Sequence, residues 1–131
     1  MAGSLGAYIE LMRPKNLILA GATVPLGAYF ALMDSSAAFP FDAVVLHTLA
    51  VVFFTGAGNA MNDIKDAEID LTAHPMRPLP SGRLSLEQAS RFTSVLWLFS
   101  VLAHTGGLLC VPAEMSTYLP TIIIYLSLIH I

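Results

Sequence analysis

The chain has 131 residues, 56% of them hydrophobic and 11% charged, with a formal net charge of −3. So little polar cover cannot clothe a water-soluble domain of this size, and a net acidic chain offers no electrostatic footprint for nucleic acid. The single cysteine, Cys110, excludes an internal disulfide framework. What remains is an integral membrane protein of the all-α class, a bundle of apolar helices spanning a lipid bilayer.

Residues 1–16 form a short amphipathic lead-in that carries Arg13 and Lys15. Residues 17–33 follow as an apolar run of 17, at the short end of the ~17–25 needed to cross a bilayer. The run is too long for a cleavable signal peptide and lacks a small-residue cleavage site, so none is expected. Pro25 within it is tolerable in a membrane helix and allows a kink. Gly21 and Gly27 either permit close helix contact or reflect the higher glycine content of spans. Residues 34–42 make a loop without a basic side chain. Asp42 is placed to N-cap the second span, with Phe41 and Leu46 as a hydrophobic staple. That span covers 44–61. Its last turns, Thr55-Gly56-Ala57-Gly58-Asn59-Ala60, are nearly all small, which serves either tight helix packing or room for a substrate chain.

At the end of this run lies an acidic cluster holding four of the nine acidic residues: Asp63, Asp66, Glu68 and Asp70. With Asn62 they fall within nine consecutive positions. On a helix, Asn62, Asp66 and Asp70 are spaced i, i+4, i+8 and share one face; Asp63 borders it and Glu68 points elsewhere. Like charges so spaced repel by ~0.2–0.5 kcal/mol per pair even in water, and the negative end of the helix dipole adds to this. Such a cluster calls for a cation. Carboxylate and amide oxygens are hard ligands suited to Mg²⁺, which fills its remaining positions with water or phosphate. A solvated acidic helix end without a ligand is the plainer alternative.

After Asp70 the helix should stop, because Pro75, Pro78 and Pro80 push the chain towards extended geometry and Gly82 loosens it further. The loop carries Arg77 and Arg83, planar donors suited to phosphate oxygens or, more simply, interfacial charges that set topology. Ser85-Leu86-Glu87-Gln88 fits a capping box that opens the third span, whose apolar body is 92–110. His104 within it is expected near the far interface rather than as a metal ligand, since no partner histidine is suitably spaced; His47 and His74 are read likewise. A polar loop around Pro112 and Glu114 leads to a fourth apolar run near Tyr118. Residues 126–131 resemble the translation of a sequencing adapter, or are six ordinary membrane residues. The expectation is a single, truncated transmembrane domain over 1–131.

The pattern Asn62-x-x-x-Asp66-x-x-x-Asp70, with Asp63 after the Asn, resembles the first aspartate-rich motif of the UbiA superfamily of intramembrane prenyltransferases. Arg77-Pro78-Leu79-Pro80-Ser81-Gly82-Arg83 is similar to the loop of its archaeal ether-lipid branch, and chlorophyll synthase and related bacterial members carry a similar loop. The opening Tyr8-Ile9-Glu10-Leu11-Met12-Arg13-Pro14 also resembles that group, so the likeness covers most of residues 7–110. The resemblance implies a nine-helix bundle with a second aspartate-rich motif that is not in this sequence, so the chain by itself is expected to be inactive. It implies Mg²⁺-dependent transfer of a prenyl group, geranylgeranyl in this branch, from an isoprenoid diphosphate donor to a lipophilic or phosphorylated acceptor of the glyceryl phosphate type. An aromatic or chlorin acceptor stays open. Asn62, Asp66 and Asp70 would hold Mg²⁺ with Asp63 assisting, and Asp66, Asp70 and Arg77 would carry the chemistry. Arg77, Arg83 and Lys65 would neutralise the diphosphate, and Arg13 and Asn16 would meet the acceptor. A cation transporter built on Asp63, Asp66 and Asp70 is the alternative from another class, and a structural membrane subunit is a third.

All six basic residues, Arg13, Lys15, Lys65, Arg77, Arg83 and Arg91, fall before the first span or around the loop between the second and third. The positive-inside rule then puts the N-terminus and the acidic motif on the cytoplasmic side of the plasma membrane. Cysteines introduced in the 72–85 loop should be labelled from the cytoplasmic face of sealed vesicles, and those in 34–42 from the opposite face. Labelling of the 72–85 loop from outside alone would reverse this orientation.

Overall fold

The computed structural model describes residues 4–34, 36 and 38–110. The polar loop at Pro112 and Glu114, the expected fourth run and the 126–131 tail lie outside the described residues. Five helices follow one another: α1 Leu5–Met12, α2 Pro14–Leu32, α3 Phe41–Lys65, α4 Ala67–Ala73 and α5 Leu86–Leu109. Among the described residues there is no strand. α2, α3 and α5 are the three helices long and apolar enough to cross a membrane. At 1.5 Å per residue they measure about 28, 37 and 36 Å, against about 30 Å of hydrocarbon. The all-α, multi-span class expected from composition is the class observed.

Local chemistry explains most helix ends. Ser4 caps α1, its hydroxyl accepting from the Ala7 N–H at 3.3 Å. Pro14 occupies the first turn of α2, where its missing N–H has no helical partner to lose. The capping box at Ser85 is present in both directions, with Gln88 Oε1 accepting from the Ser85 N–H at 2.9 Å and Ser85 Oγ from the Gln88 N–H at 3.1 Å. The cap expected at Asp42 is not formed. The Pro40 carbonyl accepts the first helical bond, from Val44 N–H at 3.0 Å, so Pro40 is the N-cap and Asp42 sits inside the first turn. There its charge faces the positive end of the helix without capping it. The spans also begin earlier than hydropathy alone suggests, at Pro14, Phe41 and Leu86, and α3 continues to Lys65.

α3 lies between α2 and α5 and packs on both. Small residues set the spacing. A Cβ at Gly21 would lie 3.0 Å from Val52 Cγ2, and one at Gly56 would lie 2.9 Å from Met12 Cε and 3.6 Å from Leu96 Cδ1. Tight packing is therefore the role of Gly21 and Gly56, whereas Gly27 and Gly58 face open space. Between α3 and α5 the Ser100 hydroxyl donates to the Ala50 carbonyl at 2.8 Å, and Phe54 meets Trp97 edge-on with centroids 4.8 Å apart. His104 lies in the last turns of α5. It is buried in the bundle against His47, ring edge to face at 5.2 Å, because Gly107 leaves room for the His47 ring beside α5. The outward faces carry Ile18, Leu19, Leu26, Phe30, Leu98 and Leu102, all exposed, as lipid-facing surfaces should be.

At one end of the spans a small core joins Ala7 and Leu11 of α1, Ala60 of α3, Leu84 of the loop and Ala89 of α5. Tyr8 stacks on Phe92 beside it, with centroids 4.8 Å apart. This cluster fixes α1 and the 74–85 loop against the end of α3, where the acidic motif begins.

The Gly107 contact sets opposing effects against each other. Ala in place of Gly favours a helix by up to ~1 kcal/mol, whereas overpacking costs ~1–3 kcal/mol. The His47 ring cannot swing freely, since its Nδ1 lies 2.8 Å from the Ala43 carbonyl. Gly107→Ala should therefore lower the thermal unfolding midpoint in detergent, and a second substitution, His47→Ala, should relieve the loss. Gly27→Ala, which meets nothing within 4 Å, should be neutral or stabilising; equal effects at both glycines would contradict this packing.

Candidate functional site

The acidic motif straddles a break. α3 ends at Lys65, Asp66 takes φ −89° and ψ 6°, and α4 starts at Ala67. One continuous helix, as spacing alone implies, is thus not what forms. The i to i+4 ladder nevertheless carries through the break: Asp66 N–H donates to Asn62 O at 2.9 Å, Asp70 N–H to Asp66 O at 2.8 Å and His74 N–H to Asp70 O at 2.9 Å. The four positions stay in step, and Arg13, Asn62, Asp66, Asp70, His74 and Arg77 come together around a cleft of about 400 Å³.

The carboxylates divide into two kinds. Asp63 and Asp70 are each only 3% exposed. Charges so far out of water must be paired, and both are. Arg13 Nη2 is ion-paired with Asp63 Oδ1, and Arg77 Nη1 donates to Asp70 Oδ2 at 2.6 Å while lying 3.7 Å from Asp63 Oδ1. Asp63, assigned by spacing to the margin of the motif, is therefore its most enclosed member with Asp70. Asn62 and Asp66 are exposed. The cleft thus offers the oxygens of Asn62, Asp66 and Asp70 opposite two guanidinium groups.

Arg13 reaches Asp63 because the chain turns sharply at it. Its φ of 56° is the one positive value at a non-glycine among the described residues. The left-handed turn separates α1 from α2, and Asn59 of α3 steadies it by donating from Nδ2 to the Met12 carbonyl at 2.8 Å. Arg77 is aimed by the loop, in which the Ser81 N–H donates to the Arg77 carbonyl at 3.0 Å.

The other expected site residues are placed differently. Asn16 is exposed in the first turn of α2, its N–H donating to the Arg13 carbonyl at 2.9 Å. Lys65 is exposed in the last turn of α3 and does not line the cleft; nor does Glu68. Arg83 turns away to Glu10 of α1 in a two-pronged pair, Nη1 to Oε2 at 2.6 Å and Nη2 to Oε1 at 3.0 Å. His74 lines the cleft although the sequence reading gave it no role. The repeat of four through 62, 66, 70 and 74 was the signal for it. Glu10 and Asn59 carried no such signal, since both act on partners remote in sequence.

As a chemical surface the cleft presents hard oxygen donors beside two guanidinium groups. Among the described residues no three His, Cys, Asp or Glu side chains form a closed metal cage. Two carboxylates and an amide would suit an ion that keeps open positions for water or phosphate, as Mg²⁺ does. The arginines supply forked donors for phosphate oxygens.

The fold and the cleft together define a class: an integral membrane protein with a carboxylate and guanidinium site where its apolar spans end. The particular family follows from comparison. Residues 18–128 match the UbiA prenyltransferase family, and the chain belongs to that family. It is 37% identical over 126 residues to the digeranylgeranylglyceryl phosphate synthase of Methanobrevibacter smithii, covering 95% of this chain and 41% of that protein. The enzyme of the same name from Methanosarcina barkeri is 38% identical over 120 residues, covering 84% of this chain and 42% of the relative. That of Methanothermobacter thermautotrophicus is 42% identical over 107 residues, 80% of this chain and 36% of the relative. The chain therefore spans about two fifths of the length of these relatives. No solved structure matches it at a significant level.

The hydrogen bonds from Arg83, opposed in part by desolvation, hold the Glu10 carboxyl below its ordinary 4.5, and Glu10 correspondingly raises Arg83. A carboxylate depressed in the folded state contributes stability that is complete above its unfolded value and fades as pH falls through the folded one. Wild type and Glu10→Gln should therefore differ in unfolding midpoint above pH 4.5 and converge below it. Because the pair is exposed, the difference should be small. A gap that widens on acidification would contradict the pairing.

Proposed function

We propose that the protein carrying this chain transfers a geranylgeranyl group from its diphosphate to a glyceryl phosphate-type acceptor in the synthesis of membrane ether lipids. The observation that carries this reading is the cleft itself: Asn62, Asp66 and Asp70 face Arg13 and Arg77 at the end of lipid-facing spans. The name shared by the relatives supports the choice of donor and acceptor.

Breaking the allylic C–O bond leaves negative charge on the departing diphosphate, so catalysis needs positive groups placed where that charge develops. Asn62, Asp66 and Asp70 would hold Mg²⁺, with Asp63 behind them. The ion would supply charge neutralisation of the diphosphate oxygens. Both contacts of Arg77 to the carboxylates run through Nη1, which leaves Nε and Nη2 as donors to phosphate oxygens. Arg13 and Asn16 stand at the entrance of α2, where a phosphorylated acceptor would meet a cation. Lys65, exposed at the end of α3, would add positive potential from outside the cleft. The apolar spans would receive the prenyl chain and keep water from the allylic cation. The one-sided basic residues support a cleft facing the cytoplasm, where soluble diphosphates and Mg²⁺ are available. A cation-conducting role is less well supported, because the acidic cluster lies where α3 ends, beside the loop that carries Arg77.

In the full-length protein, Asp66→Asn should lower Mg²⁺-dependent turnover by at least about 10²-fold, the scale of losing one charge-stabilising group. Asp70→Asn should do the same and also release Arg77. Glu68→Gln, off the cleft, should stay near wild type. Release of diphosphate from geranylgeranyl diphosphate with a glyceryl phosphate acceptor is the measurement. Near-normal, Mg²⁺-independent turnover by the Asp66 variant would overturn the metal assignment.

A further inference from the structure

We infer that Glu10 and Arg83 are positioning residues, which act on the cleft through Ser81 by fixing the backbone of Arg77. From sequence, Arg83 is a donor for the ligand. In the structure its fork is already engaged. Besides the two bonds to Glu10, Nη2 donates to the Met76 carbonyl at 2.5 Å and Nε to Ser81 Oγ at 3.0 Å. Ser81 passes the constraint on, its Oγ donating to the Arg77 carbonyl at 2.6 Å. The turn is closed by Gly82 N–H to Leu79 O and Leu84 N–H to Pro78 O, each 3.0 Å, and Gly82 at φ +72° turns the chain so that Arg83 doubles back. Leu84 is buried against α1 in the small core.

α1 thereby reaches both cleft arginines. It leads directly into Arg13, and it holds Arg77 through Glu10, Arg83 and Ser81 in turn. An exposed ion pair adds little to global stability, so its consequence lies in placement. Misplacing a group by about 1 Å at a reacting centre costs up to ~10²-fold in rate.

The kinetic part of this inference rests on the prenyl-transfer reading, so the test pairs kinetics with a structural readout in the full-length protein. Glu10→Gln and Arg83→Ala should each lower kcat/KM about tenfold, within that range. In the Arg83→Ala background Glu10→Gln should cost nothing more, because both break the same clasp. If Arg83 contacts the diphosphate itself, Arg83→Ala will cost far more than Glu10→Gln, and the inference fails. In an Arg77→Ala background Glu10→Gln should add nothing further; a full additional loss would overturn the route through Arg77.

Hydrogen exchange of the Ser81, Gly82 and Leu84 amides reports the clasp whether or not the protein turns over. It should quicken in Glu10→Gln and in Arg83→Ala alike. Unchanged exchange in Glu10→Gln would refute the clasp. Altered exchange in Glu10→Gln, with a wild-type protein that releases no diphosphate, would uphold the clasp and refute only the prenyl-transfer reading. Altered exchange with unaltered kinetics in an active enzyme would refute the positioning role.

Discussion

Two carboxylates with almost no exposure, Asp63 and Asp70, stand seven positions apart where the end of α3 passes into α4. Left unpaired, each would carry a desolvation penalty of several kcal/mol, and removing one partner from such a pair costs about 3–5 kcal/mol. Their counter-charges come from elsewhere in the chain. Arg13 is 50 residues before Asp63, and Arg77 lies on the loop beyond α4. The geometry of the whole end of the bundle follows from bringing those two guanidinium groups to these two carboxylates. The left-handed turn at Arg13, its support from Asn59, and the core of Ala7, Leu11, Leu84 and Ala89 all serve that placement.

The same pairing separates structural from available charge. Asp63 and Asp70 neutralise the arginines, while Asn62 and Asp66 remain open to the cleft. An anionic ligand arriving with a divalent cation would then meet a site that is already assembled and close to neutral. Asp70 and Arg77 belong to both sets, so they are where ligand binding and local structure compete. Preorganised groups of this kind cost no rearrangement when charge develops on a leaving group.

The spans contribute by being ordinary. Their outward faces are apolar, their contacts use small residues and one buried interhelical hydrogen bond, and the polar site is confined to one end. A bilayer enforces that division, since lipid satisfies no polar group. Confinement keeps the polar cleft at one end and leaves the rest of the spans apolar.

Composition and the three apolar runs determined the class and the spans, because a membrane imposes length and hydropathy directly on sequence. The capping box at Ser85 was legible because its bonds join residues three apart. The spacing of Asn62, Asp66 and Asp70 was legible because the i to i+4 ladder survives the break at Asp66. Tertiary structure alone decided the rest. Asp63, read as bordering the motif face, is buried against Arg13, Arg83 pairs with Glu10, and His104 packs on His47 between α3 and α5. Each of these depends on a partner tens of residues away or on a gap that a glycine leaves in a neighbouring helix. Periodicity describes one helix at a time, and it says which face a residue occupies but not what is brought against that face.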